Sequence, residues 1–140
     1  MAFPTRAEYE SLLYRLTEDY AEVVSSTLHL YSTSALTALV QGELVFRNGI
    51  TLRIVEALDF KQRKIVNYSY TVRRGNTRIR WYDPQPHPEN PALQSTFPHH
   101  FHMEPDIKHN RQPAFGIAFE HPNLPQLIAD CVQLGGKISN

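Results

Sequence analysis

Leu36-Thr37-Ala38-Leu39-Val40-Gln41-Gly42-Glu43-Leu44-Val45-Phe46, then Asn48-Gly49, then Ile50-Thr51-Leu52-Arg53-Ile54-Val55-Glu56-Ala57-Leu58, is two alternating rows on either side of a turn. Leu36, Ala38, Val40, Leu44 and Phe46 share one parity. Ile50, Leu52, Ile54 and Leu58 continue the alternation beyond the turn. A period of two sends successive side chains to opposite faces, so each row predicts a strand with one apolar face. Asn-Gly supplies the positive φ angles of a tight hairpin, which joins the two strands antiparallel. Gly42 interrupts the apolar row and predicts a bulge or a close backbone approach.

The pattern extends in both directions. After the charged turn Lys61-Gln62-Arg63-Lys64 come Val66, Tyr68, Tyr70 and Val72, again alternating. Arg74-Gly75-Asn76 turns the chain into Thr77–Asp83, with Ile79 and Trp81 expected on one face and Arg78, Arg80 and Tyr82 on the other. Upstream, Val23–Tyr31 is rich in β-branched and aromatic residues. Downstream, Ala114–Phe119 reads as a short final strand. Short strands with short turns make an antiparallel meander of about five to six strands.

Helical signals lie at the two ends. Thr5 and Glu8 have capping-box spacing, and Tyr9, Leu12, Leu13 and Leu16 form an apolar stripe. Asn123 stands where a helix cap is expected, with Pro125 in the first turn. Leu124, Leu127, Ile128, Cys131 and Val132 make that helix's apolar face, and Gly135-Gly136 should end it. The expected fold is α+β: the sheet, with an N-terminal and a C-terminal helix packed on one face. The 140 residues suit a single domain over 1–140.

Composition narrows the function. A formal net charge of zero excludes a whole-molecule attraction to nucleic acid, leaving only a local basic patch. The only cysteine, Cys131, excludes an internal disulfide, and its place in an apolar stripe predicts a buried, inert thiol. There is no secretory signal and no apolar run of membrane-spanning length, so a cytoplasmic protein that does not enter a membrane is expected.

Chemistry concentrates between Trp81 and His102. This stretch holds four of the seven histidines, His87, His99, His100 and His102, and five of the ten prolines. Prolines fix a loop's backbone, and imidazoles titrate near neutral pH and ligate metals. In an extended segment His100 and His102 point to one side and His99 to the other. Asp83, His87 and Glu89 are the groups able to converge with them. Three readings follow. In one, the imidazoles hydrogen-bond to loop carbonyls and Asp83 and merely fix the crossover. In the second, Asp83, His87, His100 and His102 perform metal-free phosphodiester cleavage, with Arg78 or Arg80 holding the phosphate and Tyr82 beside them. In the third, His87, His100 and His102 ligate a divalent metal with a carboxylate. Arg73 and Arg74 are alternative cations, although basic residues also commonly protect a sheet edge. Tyr68, Tyr70, Trp81 and Tyr82 are interleaved with these cations, a composition suited to single-stranded RNA. His29, His109 and His121 read as ordinary surface or strand residues.

The combination Tyr68-Ser69-Tyr70, Arg80-Trp81-Tyr82-Asp83, Pro86-His87-Pro88-Glu89 and Thr96-Phe97-Pro98-His99-His100-Phe101-His102 resembles the TumE-like family of toxin–antitoxin systems. The likeness covers about residues 44 to 134, and Phe-Pro-His-His-x-His is its most specific part. It implies a toxin-type protein neutralised by a DNA-binding antitoxin encoded nearby. It carries over a motif, Asp83, His87, Pro98, His99, His100 and His102, rather than assigned roles. Pro84 after Asp83, the single His87 after Pro86, and Phe101 within His-His-x-His depart from the family pattern. A non-catalytic protein-interaction domain is the alternative from a different class.

Overall fold

The structure, a computed structural model, describes residues 2–136. The hairpin forms, with Arg47, Asn48 and Gly49 between its strands and positive φ at Gly49 but not at Asn48. Gly49 takes φ +85°, and the Ile50 N–H donates to Asn48 Oδ1 at 2.9 Å. The turn joins strands β3 (Thr37–Phe46) and β4 (Ile50–Asp59), which pair antiparallel from Thr37↔Asp59 to Val45↔Thr51. Leu36 falls outside β3 and is exposed, not part of its apolar row.

The Val23–Tyr31 segment divides into β1 (Val23–Ser26) and β2 (His29–Ser32), which pair with successive parts of β3. The chain passes from one to the other over Gly42. A Cβ there would lie 2.5 Å from the Thr27 carbonyl oxygen, and Gly42 has φ +147°. Close approach of two backbones is therefore the reason for the glycine.

The sheet continues through β5 (Lys64–Arg74), β6 (Thr77–Asp83), β7 (His100–Met103) and β8 (Arg111–Pro113), all antiparallel. This open sheet has eight strands rather than the expected five to six. Two four-residue strands replace one, and the histidine motif and Arg111–Pro113 are themselves strands. Ala114–Phe119 is not a strand. Gly116 has φ +82°, the Ile117 N–H donates back to the Ala114 carbonyl, and Phe115 is exposed.

Bulges overturn two parity expectations. Ala57 pairs with Asn67 but Leu58 with Ile65, leaving Val66 as an extra residue. Ile65 takes the buried position and Val66 turns outward. Likewise Val72 pairs with Arg80 but Arg73 with Arg78, leaving Ile79 extra. Ile79 joins the core, and Arg78 moves to the opposite face beside Trp81. An extra residue reverses the alternation of everything beyond it.

Helices α1 (Arg6–Tyr14), α2 (Leu16–Asp19) and α3 (Leu124–Gly136) cover the apolar face. The α1 capping box is present: the Glu8 N–H donates to Thr5 Oγ1 at 3.2 Å and the Thr5 N–H donates to Glu8 Oε1 at 2.9 Å. Asn123 does not use its side chain to cap α3. Its Oδ1 accepts from the Ala118 N–H, and its Nδ2 donates to the Ala118 carbonyl and to the Tyr70 hydroxyl. Gly135 and Gly136 lie within α3 instead of ending it, and any end beyond Gly136 falls outside the described residues. Cys131 is buried, which pushes its thiol up to about 12, in keeping with an inert packing role.

One inward position of β4 is not apolar. Glu56, fully buried between Ile54 and Leu58, accepts from the Tyr9 hydroxyl at 2.6 Å and the Tyr70 hydroxyl at 2.5 Å. Burial raises its carboxyl above the ordinary range, and the two tyrosines only partly counter this. Folded protein thus binds this proton more tightly than unfolded protein. The group's contribution to stability is present at low pH and lost as pH rises through the raised value. Accordingly, Glu56→Gln should gain stability relative to the parent as pH rises above the ordinary carboxylate range, read as denaturant midpoints. Glu56→Ala, which strands two buried hydroxyls, should be less stable by about 2–4 kcal/mol.

Candidate functional site

β6 and β7 pair with Asp83 opposite His100 and Trp81 opposite His102. In β7 the alternation sends His100 and His102 to the sheet face away from the helices, where Asp83 and Trp81 also lie. His99 points the other way. Its Nδ1 lies 2.6 Å from the Tyr68 hydroxyl, and its ring packs against Tyr68 and Phe119.

Asp83, His100 and His102 form one compact buried centre. His100 Nε2 lies 3.2 Å from Asp83 Oδ1, and His102 Nε2 lies 3.1 Å from Asp83 Oδ2. The two Nε2 atoms are 3.2 Å apart. The far side of each ring is also fixed. His100 Nδ1 lies 3.1 Å from the Pro98 carbonyl oxygen, and His102 Nδ1 lies 3.2 Å from that of Lys108. A carbonyl oxygen can only accept, so both Nδ1 atoms carry hydrogen. In a neutral imidazole that leaves Nε2 with a bare lone pair. Burial holds the His100 imidazole below its ordinary range, favouring this neutral form. Two lone pairs and a carboxylate therefore face one another, an arrangement that calls for a positive centre among them.

The surroundings are ordered. The Gln85 N–H donates to Asp83 Oδ1 at 2.8 Å, stapling the start of the proline loop to the centre. A 3₁₀ turn, Pro91–Thr96, buries Leu93 within that loop. Trp81 stacks on His102 with ring centroids 4.6 Å apart, and its Nε1–H donates to Ser69 Oγ at 3.2 Å. Arg78 lies over the Trp81 ring at 5.1 Å. His87 sets its ring against His100 at 4.9 Å, and its Nδ1 is 3.4 Å from exposed Glu89. An open cleft of about 440 Å³, lined by Ser69, Trp81, Asp83 and Pro84 among others, reaches the carboxylate.

Of the residues picked out from the sequence, Asp83, His100 and His102 come together, and His87 lies at their edge. Arg78 and its cross-strand partner Arg73 lie on their side of the sheet, as does Arg111, which pairs with His102 from β8. Arg80 and Tyr82 are not brought to the centre. Tyr82 donates to Asp130 Oδ2 of α3 at 2.7 Å, while Arg80 donates to the Tyr82 hydroxyl at 3.2 Å and lies 4.1 Å over the Phe101 ring. Sequence reading passed over the Pro98 and Lys108 carbonyls, which no side-chain pattern announces. It also passed over Glu56, which was detectable as a charge in an inward row.

A family model described as toxin TumE matches residues 13–134. The chain belongs to the TumE toxin family. No curated protein and no solved structure matches it. The TumE match spans the whole sheet from β1 to β8 and nearly all of α3, so the histidine centre lies inside the family's common region. Membership of a toxin family implies an antitoxin partner in general. Among the described residues no helix is long and apolar enough to cross a membrane.

The two arginines should separate experimentally. Arg80→Ala loses a ring contact and a hydrogen bond and should lower stability by about 1–2 kcal/mol. Arg78→Ala, at an exposed position, should change it by less than about 0.5 kcal/mol. Urea unfolding of both variants measures the difference.

Proposed function

We propose that this chain is the toxin half of a toxin–antitoxin pair, acting in the cytoplasm on RNA and neutralised by a DNA-binding antitoxin encoded nearby. The observation that carries this reading is the Asp83–His100–His102 centre, whose carboxylate opens onto a cleft beside a cation. Asp83 is the group within reach of an RNA 2′-hydroxyl and acts as its base. The 2′-oxygen then attacks phosphorus and displaces the 5′-oxygen, the usual acid–base route of metal-free RNA cleavage. His87, at the rim, returns a proton to the leaving oxygen. His100 and His102 lie behind Asp83 and position it, and Arg78 with Arg73 holds the phosphate. Arg73 and Arg78 are directly paired across β5 and β6, which supports that assignment.

A second reading is favoured by one observation. The His100 and His102 side chains are only 1% and 5% exposed. Such burial suits a non-catalytic interaction domain in which the centre fastens the proline loop to the sheet.

Induced expression in bacteria distinguishes the two. Under the toxin reading the parent chain arrests growth and fragments RNA, while Asp83→Asn and Arg78→Ala, both checked for native circular dichroism, lose at least tenfold of the cleavage. Equal RNA integrity in parent and variants leaves the interaction domain as the surviving reading.

A further inference from the structure

We infer that Asp83, His100 and His102 form a binding site for one first-row divalent metal ion, with zinc as the best fit. The proposal concerns the same centre but stands apart from the metal-free route given above, because an ion held by both Asp83 oxygens would occupy the group that route uses as its base.

Four features carry it. The first is donor chemistry: two imidazole nitrogens and a carboxylate are an established ligand set for such ions. The second is orientation. All three groups turn their electron pairs inward, because the Pro98 and Lys108 carbonyls hold the Nδ1 hydrogens outward. Backbone carbonyls in this position fix the tautomer that a metal requires.

The third is size. The ligand atoms are separated by 3.1 to 3.2 Å. A tetrahedral ion bound at about 2.0 Å sets its ligands about 3.3 Å apart, and an octahedral one at about 2.2 Å sets neighbouring ligands about 3.1 Å apart. Each imidazole meets a different carboxylate oxygen, so an ion between them can be held by both oxygens. The fourth is access. His100 and His102 are buried, but the carboxylate borders the open cleft beside Trp81, which leaves a path for an ion and a place for a further ligand such as water.

The competing arrangement is a proton in place of the ion, with one imidazole charged against Asp83. Both satisfy the electrostatics, but they differ in what they bind. His87 is the one further imidazole at the edge of the centre. It meets His100 through its ring, and its Nδ1 is turned to Glu89, so it is not one of the three ligands.

Trp81 supplies a direct readout. It is the only tryptophan, and it stacks on His102. Untagged full-length protein, stripped with chelator, is titrated with Zn²⁺ and separately with Co²⁺. The expected result is a saturable change in Trp81 fluorescence ending at one equivalent of Zn²⁺. Co²⁺ should give visible d–d absorption without a thiolate charge-transfer band, since the ligands are nitrogen and oxygen. Asp83→Asn and His102→Gln should weaken Zn²⁺ binding at least about 100-fold, whereas Glu89→Gln should leave it unchanged. No saturable uptake of either ion by the parent chain, or undiminished binding in natively folded Asp83→Asn, overturns the proposal. If the ligand variants fail to fold, the parent titrations alone still decide it. Metal binding and toxicity fail separately. One equivalent bound by a non-toxic protein upholds the site and removes the RNA reading, and toxicity in a chain that binds neither ion does the reverse.

Discussion

A buried carboxylate ties the elements of this fold together. Glu56 stands on the inward face of β4, accepts from Tyr9 of α1 on one side and from Tyr70 of β5 on the other, and Tyr70 in turn accepts from Asn123 at the entry to α3. Both terminal helices are thereby tied through polar contacts to the same point of the sheet. Apolar packing alone would allow either helix to slide along the sheet, because burial is not directional. Hydrogen bonds at about 2.5 to 2.6 Å to a buried group allow one position. Removing a partner would leave a desolvated polar atom, so the network specifies the packing as much as it strengthens it.

The other face of the sheet is left to chemistry. With the helices on one side, the alternation of β6 and β7 sends Asp83, Trp81, His100 and His102 to the opposite side. There the proline loop and the Lys108 turn close over them. The bulge at Ile79 decides which cation joins them. Without the extra residue, Arg78 would share a face with Arg80 and Tyr82. With it, Arg78 lies over Trp81, while Arg80 stays on the core side against Phe101 and Tyr82. A similar extra residue at Val66 brings Ile65 into the core. Local twist from such bulges commonly accompanies functional edges of sheets.

Much of this was legible in the sequence where a local rule applies. The Asn48-Gly49 hairpin, the Thr5–Glu8 capping box, the close approach at Gly42 and the opposite orientations of His99 and its two neighbours all follow from backbone geometry within a few residues. The α+β class and the TumE family followed from alternation and from the histidine motif. The failures have causes of their own. A run of β-formers reads the same whether the pairing with a neighbouring strand bulges it, as at Val66 and Ile79, or a local turn at Gly116 interrupts it, and the Asn123 side chain is drawn to Tyr70, 53 residues away.

The sequence by itself determined that His100 and His102 share a side, because alternation along a strand is a property of the chain alone. Only the tertiary structure decided that Asp83 faces both, through the β6–β7 register, and that the Pro98 and Lys108 carbonyls fix both rings with their lone pairs inward. The same holds for Glu56. Its charge in an apolar row was written in the sequence, but the hydroxyls that make its burial tolerable come from Tyr9 and Tyr70, 47 and 14 residues away. Residues that distant meet only when the folded chain brings their strands and helices together, so no local rule can read them.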